Sequence, residues 1–289
     1  MFADIPALAA ALDGVGYLPD EGVATAAYLA IRMRRPLLLE GDPGVGKTAL
    51  AQALADVTGA ELVRLSCYEG IDASQALYDW DFPRQLLHLR GAEQGRADTG
   101  DERSVYDRRF LLARPILRAL EVSPAVLLVD EIDRADDEFE AFLLEVLADN
   151  AVTIPELGTI RPAEPPIVVL TSNRTRELHD ALKRRCLYHW VAHPDLEREV
   201  EIIRRHQPEV AERLARQVAA GVAAMRDAGL VKPPGIAETI DWATALRLLG
   251  AAELTAPAAR ATLGALLKYR EDQVTVERDV LPGLLARRR

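Results

Sequence analysis

The stretch Pro36-Leu-Leu-Leu-Glu-Gly-Asp-Pro-Gly-Val-Gly-Lys-Thr-Ala-Leu-Ala-Gln-Ala-Leu-Ala-Asp-Val57 decides the fold of this chain. Pro36 to Glu40 is a short apolar run that reads as a buried strand. Gly41 to Thr48 fits the pattern GxxxxGK(S/T), and Lys47 to Val57 reads as a helix. The glycines let the backbone bend around a phosphate with N–H groups pointing inward, and the helix N-terminus adds positive potential. Gly41, Asp42, Pro43, Gly44, Val45, Gly46, Lys47, Thr48 and Ala49 are therefore the candidate phosphate-binding residues of a nucleotide site. Lys47 would bridge the β and γ phosphates, and the Thr48 hydroxyl would take Mg²⁺. The bland alternative is a glycine-rich turn carrying a surface lysine. Against it, only four of the 35 basic residues are lysines (Lys47, Lys183, Lys232 and Lys268), so a lysine here is a poor accident.

Four more apolar runs follow: Glu61 to Ser66, Ala125 to Asp130, Ile167 to Thr171 and Cys186 to Val191. With Pro36 to Glu40 they predict five strands covered on both faces, hence a parallel sheet of βα units. The helical stretches between them are Glu21 to Arg34, Lys47 to Val57, Leu112 to Glu121 and Asp137 to Asp149. The run Ala125 to Asp130 ends in two carboxylates, Asp130 and Glu131, at the carboxyl edge of the sheet. Asp130 can hold Mg²⁺ through water, and Glu131 can orient or deprotonate an attacking water. Asn173, after the Ile167 run, can hold the lytic water or the γ-phosphate by hydrogen bonds, or it closes a strand as an ordinary turn former. Arg184 and Arg185 close a further helix. They suit either a finger reaching a neighbouring subunit's γ-phosphate or the negative end of the helix dipole.

Composition sets outer limits. At 289 residues, 49% hydrophobic and 28% charged, the chain can bury a real core, and no stretch approaches a membrane span. The net charge of −10 argues against non-specific phosphate neutralisation, so nucleic acid is not the expected partner. The acidity lies in residues 1–194, while 195–289 is nearly neutral. The first residues carry Asp4 and Asp13 without a basic region, which reads as a cytoplasmic start and not a signal peptide. Cys67 and Cys186 are expected to be reduced and packed, and the five histidines, including His189 and His193, lack metal-ligand spacing. From Asp195 the strand signal stops and apolar residues keep helical spacing between Pro and Gly breakers. The expected domains are thus 1–194 and an all-helical 195–289, with an insertion at about 70–109 that fits no simple crossover. Tyr78, Trp80 and Phe82 in that insertion fall at period two, suited to one face of a strand or hairpin. They serve either as a small core or as an exposed client contact. The terminal Arg287 to Arg289 reads as a solvated tail.

Taken together, these residues resemble the AAA+ ATPases, in particular the MoxR family and its branch typified by the carbon monoxide dehydrogenase maturation factor CoxD. The matching blocks are GDPGVGKT, CYEGIDASQALYDWDFPRQLLHLR, FLLARPILRALE, VLLVDEIDRADDEFEAFLLEVLAD, IPELGTIRPAEPPIVVLTSN and LHDALKRRCLYHW, in family order. The resemblance implies an αβα sandwich around a five-stranded parallel sheet, a helical lid, and ATP with Mg²⁺ bound between subunits of a ring, expected to be a hexamer. It makes Gly41 to Thr48 Walker A, Asp130 and Glu131 Walker B, Asn173 sensor 1, and Arg185 the arginine finger, with Arg184 as the other candidate. It also implies that 70–109 is the family's helix-2 insertion. The lid departs from the family pattern: Asp241 and Trp242 stand where an arginine is usual, and Arg247 comes later.

The expected activity is hydrolysis of ATP to ADP and phosphate, driving a chaperone-like remodelling or metal-insertion motor that matures a metalloenzyme or protein complex. A von Willebrand factor A domain protein and a client metalloenzyme are partners implied by the resemblance alone. The competing readings are an AAA+ motor on nucleic acid and a nucleotide-dependent recruitment scaffold with little turnover.

Overall fold

Two aspartates start the chain's first helices. In the computed structural model, which describes residues 2–93 and 105–286, Asp4 accepts the Ala7 N–H at 2.8 Å and opens α1 (Ile5–Gly14). Asp20 accepts the Val23 N–H at 2.6 Å and opens α2 (Glu21–Met33), which Arg34 ends in the left-handed region with φ 52°. The elements that follow are β1 (Leu37–Glu40), α3 (Lys47–Thr58), β2 (Glu61–Ser66), α4 (Ala73–Ala76), β3 (Tyr78–Trp80) and α5 (Phe82–Glu93). Then come β4 (Leu111–Ala113), α6 (Pro115–Glu121), β5 (Ala125–Asp130), α7 (Asp137–Asp149), β6 (Val152–Ile154) and β7 (Gly158–Ile160). β8 (Ile167–Ser172), α8 (Asp180–Arg185) and β9 (Leu187–Trp190) complete the α/β part, and α9 (Leu196–His206), α10 (Glu212–Arg226), α11 (Ile236–Leu248), α12 (Ala256–Leu266), α13 (Arg270–Thr275) and α14 (Leu281–Ala286) follow.

The chain folds as two units, one of Met1–Glu40 and Thr48–Trp190, and a second of Gly41–Lys47 and Val191–Arg289. The first is built on a five-stranded sheet in the order β2-β5-β8-β1-β9, with every pair parallel. All five strands expected from the apolar runs are present. The central β5 and β8 are buried on nearly every residue, whereas the edge strand β2 alternates, with Val63 and Leu65 inward and Arg64 and Ser66 outward. Register sets Ser66 beside Asp130, and Glu40 beside both Ser172 and Trp190. The carboxyl ends of these strands thus share one edge, where open parallel sheets bind ligands. Leu38, Leu127, Val129, Val168 and Leu170 pack with Ile116, Leu117, Phe139 and Leu143, each fully buried aliphatic contributing about 2 kcal/mol.

Two expectations need correction. The helix expected from Leu112 starts at Pro115, because a residue before proline is kept out of the helical region and proline suits the first helical turn. Leu111–Ala113 instead pairs antiparallel with Tyr78–Trp80 inside the insertion. The aromatic trio does not share one face either. Tyr78 and Trp80 pack on the core of the unit and meet edge-to-face at 6.2 Å, while Phe82 opens α5 and is exposed. The β6–β7 hairpin has no counterpart among the expected elements. Positions 94–104 of the expected insertion, and the 287–289 tail, lie outside the described residues.

The second unit gathers its helices around Trp242, which is wholly buried and donates its indole N–H to Thr262 Oγ1 at 2.8 Å. Ile203, Leu214, Val218, Leu246 and Leu263 fill the same core. A buried ion pair adds a polar lock: Arg226 donates to both Glu199 oxygens at 2.7 and 2.8 Å, and through Nε to the Pro234 carbonyl at 2.9 Å. Lys268 Nζ donates to the Gly264 and Ala265 carbonyls near the end of α12, the kind of C-terminal cap for which a cation is suited. Among the described residues, no helix is long and apolar enough to cross a membrane. Cys67 and Cys186 are buried free thiols that burial pushes up to about 12, so neither is a nucleophile near neutral pH.

Candidate active site

Asp130 ends β5 with its side chain almost wholly buried, and both carboxylate oxygens are engaged. Oδ1 accepts the Thr48 hydroxyl at 3.0 Å and the Thr171 hydroxyl at 2.6 Å, and Oδ2 pairs with the Arg64 guanidinium reaching over from β2. Thr171 in turn accepts the Glu131 N–H at 2.9 Å, so one hydroxyl ties both acidic residues to β8. Glu131 turns the chain sharply, with φ 56° in the left-handed region. Its carboxylate receives Asn173 Nδ2 at Oε1 and Arg134 Nη1 at Oε2, each at 3.2 Å.

Asn173 is held from behind. Asp133, buried, accepts the Asn173 N–H at 3.2 Å, the Thr175 N–H at 2.8 Å and the Thr175 hydroxyl at 2.7 Å. Arg174 between them sits at φ 57°, which turns the chain so that both neighbouring N–H groups meet one carboxylate. The segment after β8 is thus lashed to the segment after β5, and the amide of Asn173 is aimed at Glu131. Cys67 lies in the negative field of this cluster: after burial, Asp130, Asp133 and Glu131 are the causes that hold its thiol protonated.

Within the other unit, the loop between β1 and α3 is stabilised by its own lysine. Lys47 is buried, and Nζ donates to the Gly41 and Asp42 carbonyls at 2.7 and 2.8 Å. Gly41 leaves no room for a side chain, since a Cβ would stand 2.2 Å from the Val191 carbonyl oxygen. Gly44 has φ 80° and lies against Gly235, where a Cβ would be 2.9 Å from Gly235 Cα. The Ile236 N–H, first in α11, donates to the Gly44 carbonyl at 2.9 Å. The turn of the helical unit that meets the loop is therefore Gly235 to Glu238. Neither residue at the usual arginine position takes that place: Trp242 is core, Asp241 is exposed, and Arg247 pairs with Glu209 at 2.6 Å. His193 stands 3.6 Å from Asp42, and burial, seconded by Arg226, holds its imidazole below the usual range and thus neutral at pH 7. Its Nδ1 is buried with no hydrogen-bond partner among the described residues.

Of the residues singled out from sequence, Thr48, Asp130, Glu131 and Asn173 come into one hydrogen-bonded cluster. Ala49 sits exposed in the first turn of α3. Arg184 and Arg185 make their contacts elsewhere. Arg35 clasps the carbonyls of residues 184, 185 and 186 at 2.7 to 3.2 Å, which caps α8, and Arg185 Nη1 donates to the Leu144 carbonyl at 3.1 Å. Both arginine side chains are exposed. Sequence reasoning missed Arg64, Thr171, Asp133 and Arg134. Only Arg64 left a local signal, as the charged residue on the outward side of an alternating strand.

The Thr48 hydroxyl and Asp130 carboxylate form a hard oxygen donor pair, the chemistry Mg²⁺ takes alongside waters and substrate phosphates. Among the described residues no group of three or more His, Cys, Asp or Glu forms a site that would hold a metal without such a substrate.

Comparison with known proteins adds a family match and distant relatives. The model of the AAA domain, dynein-related subfamily, matches residues 36–186. Midasin of Giardia intestinalis is 54% identical over 48 residues, which are 17% of this chain and 1% of that protein. The ATPase family gene 2 protein homolog B of Bos taurus is 30% identical over 162 residues, covering 55% of this chain and 17% of its own. The chain thus spans a small part of the length of these curated relatives. Among solved structures, the Thermotoga maritima RuvB Holliday junction branch migration motor has a TM-score of 0.48 at 19% identity, over 85% of this chain and 69% of that one.

Proposed function

The chain belongs to the AAA domain family, dynein-related subfamily, and from that premise we propose that it is a Mg²⁺-dependent ATP hydrolase. The observation that carries this reading is the pair of linked contacts at the sheet edge: Thr48 on Asp130, and Asn173 on Glu131. The loop Gly41 to Ala49 binds the phosphates, with Lys47 exchanging its loop carbonyls for phosphate oxygens. Thr48 and Asp130 hold Mg²⁺, which when bound neutralises charge on the β and γ phosphates. Glu131 orients the attacking water and accepts its proton, and Asn173 sets the direction of the Glu131 carboxylate. Arg185, or its neighbour Arg184, acts in a ring on the γ-phosphate held by an adjacent subunit; exposure of both on α8 is compatible with that role.

At finer grain, we place the chain in the MoxR family near its CoxD-like branch, supported by the order of its motif blocks. The ring, expected to be a hexamer, would remodel a client during metalloenzyme maturation together with a von Willebrand factor A domain protein. Rotation of a helical lid, residues 195–289, against a core of residues 1–194 would transmit the state of the γ-phosphate. The Glu131→Gln variant tests both levels. It should bind ATP as the parent does and lose turnover, and affinity capture in ATP should recover a metalloenzyme or a von Willebrand factor A protein. Undiminished hydrolysis would remove Glu131 from the mechanism, and DNA-stimulated turnover with steep salt dependence would redirect the client assignment to nucleic acid.

A further inference from the structure

The Asp130 carboxylate already carries a cation of the chain's own. Arg64 projects from the outward side of β2, two residues before the strand's end, and its Nη2 pairs with Asp130 Oδ2. The two partners differ sharply in environment. The Arg64 side chain is 56% exposed, whereas the Asp130 side chain is 6% exposed and anchored by the Thr48 and Thr171 hydroxyls on its other oxygen. A buried carboxylate without a counter-charge is costly, so some cation must balance Asp130 whether or not metal is bound. A guanidinium and a divalent cation carry charge of like sign and repel each other across one carboxylate, so metal held on Asp130 opposes its pairing with Arg64.

We propose that Arg64 is the exchangeable counter-ion of Asp130: it neutralises the carboxylate when no metal is bound and is displaced by Mg²⁺ arriving with nucleotide. The proposal rests on Asp130 being the metal-facing carboxylate of the ATP site. Two effects follow from charge alone. Without metal, Arg64 screens Asp130 from the phosphates and so supports Mg²⁺-free nucleotide binding. With metal, Mg²⁺ must first break the ion pair, so the gain in nucleotide affinity from Mg²⁺ is smaller than it would be for a bare carboxylate. Arg64 is thus a positioning residue that sets how strongly nucleotide binding depends on the metal.

The test is the dissociation constant of ATP for the full chain, measured by calorimetry in Mg²⁺ and again in EDTA. The ratio of the two constants should be about tenfold larger in Arg64→Ala and Arg64→Gln than in the parent, as expected for loss of one charge-assisted contact. Arg64→Lys, which keeps the charge, should restore a ratio near the parent's. A ratio in Arg64→Ala and Arg64→Gln equal to the parent's, in proteins that melt as the parent does, would overturn the exchange. No Mg²⁺ dependence in the parent would overturn both this proposal and the assigned role of Asp130. Should the neutral variants fail to fold, parent protein labelled with ¹⁵N-arginine decides: one Nε–H signal should shift on adding Mg²⁺ to the ATP complex in EDTA, and no shift would refute the exchange.

Discussion

Replacing Gly235 by serine tests the close approach of the phosphate loop to α11 through the sign of a stability change. Gly235 precedes α11 at φ −84° and ψ −175°, a conformation open to any residue. Its N–H already donates to the Glu238 carboxylate at 3.2 Å, and a serine hydroxyl would complete the reciprocal capping box. In open space the change would therefore stabilise, by about 0.5 kcal/mol from the cap and about 0.4–1 kcal/mol from a stiffer unfolded chain. The loop removes that space. A Cβ at Gly235 would stand 2.8 Å from Gly44 Cα and 3.1 Å from Gly44 O, both backbone atoms that no rotamer change can move. Relief requires the loop to withdraw, at about 1–3 kcal/mol of overpacking, and to give up the Ile236 N–H bond to Gly44 O, worth about 1 kcal/mol. The net expectation is a loss of about 0.5–3 kcal/mol, which at about 4–8 °C per kcal/mol for a unit of this size lowers Tm by several degrees or more. Because the loop moves, ATP affinity should fall with it, by about tenfold for one displaced phosphate contact. Scanning calorimetry and ATP titration of the full-length variant read both. A rise in Tm with unchanged affinity would show that α11 does not press on the loop, and the reasoning would be wrong.

Other consequences are simpler. Lys47→Ala should lose at least tenfold in ATP affinity by titration, since it removes the charge meant for the β and γ phosphates; unchanged affinity would contradict the phosphate-loop assignment. Glu199→Ala strands the Arg226 guanidinium in the helical core, and denaturant unfolding should show a loss of about 3–5 kcal/mol, where a surface pair would give under about 1. Arg185→Ala should slow hydrolysis in an assembled ring, and mixing with Glu131→Gln subunits that supply the arginine should restore part of it; no rescue at any mixing ratio would exclude action on a neighbour's nucleotide.

Much of this molecule is legible locally. The five strands show because buried parallel strands need continuous apolar runs. Periodicity misplaces the start of α6 because it does not weigh the Arg114-Pro115 bond, which sets the boundary. At the candidate site, Thr48 is readable as a type at the start of a helix, and Asp130, Glu131 and Asn173 at or just after strand ends. Their supports are not: Thr171 looks like one more β-branched strand residue, and Asp133 like one acid among many in DEIDRADD. Lys268, without a role from sequence, finds one as a cap on carbonyls three and four residues earlier, a pairing that shows only where the end of α12 is placed.

The order of amino acids alone gives the class of fold, the glycine-rich loop Gly41 to Thr48 and the acidic strand end, since each is written within about a dozen consecutive residues as period, turn chemistry or charge. The partners of those residues belong to the tertiary structure. Arg64 meets Asp130 across 66 positions and Thr171 meets it across 41, while Gly235 meets Gly44 across most of the chain. Such pairings depend on strand order, on which side of an edge strand faces out, and on where a helix begins against a loop. No local pattern encodes these, because they are set by how whole elements pack, and so the counter-ion of Asp130 and the turn of α11 against the loop emerge only from the folded chain.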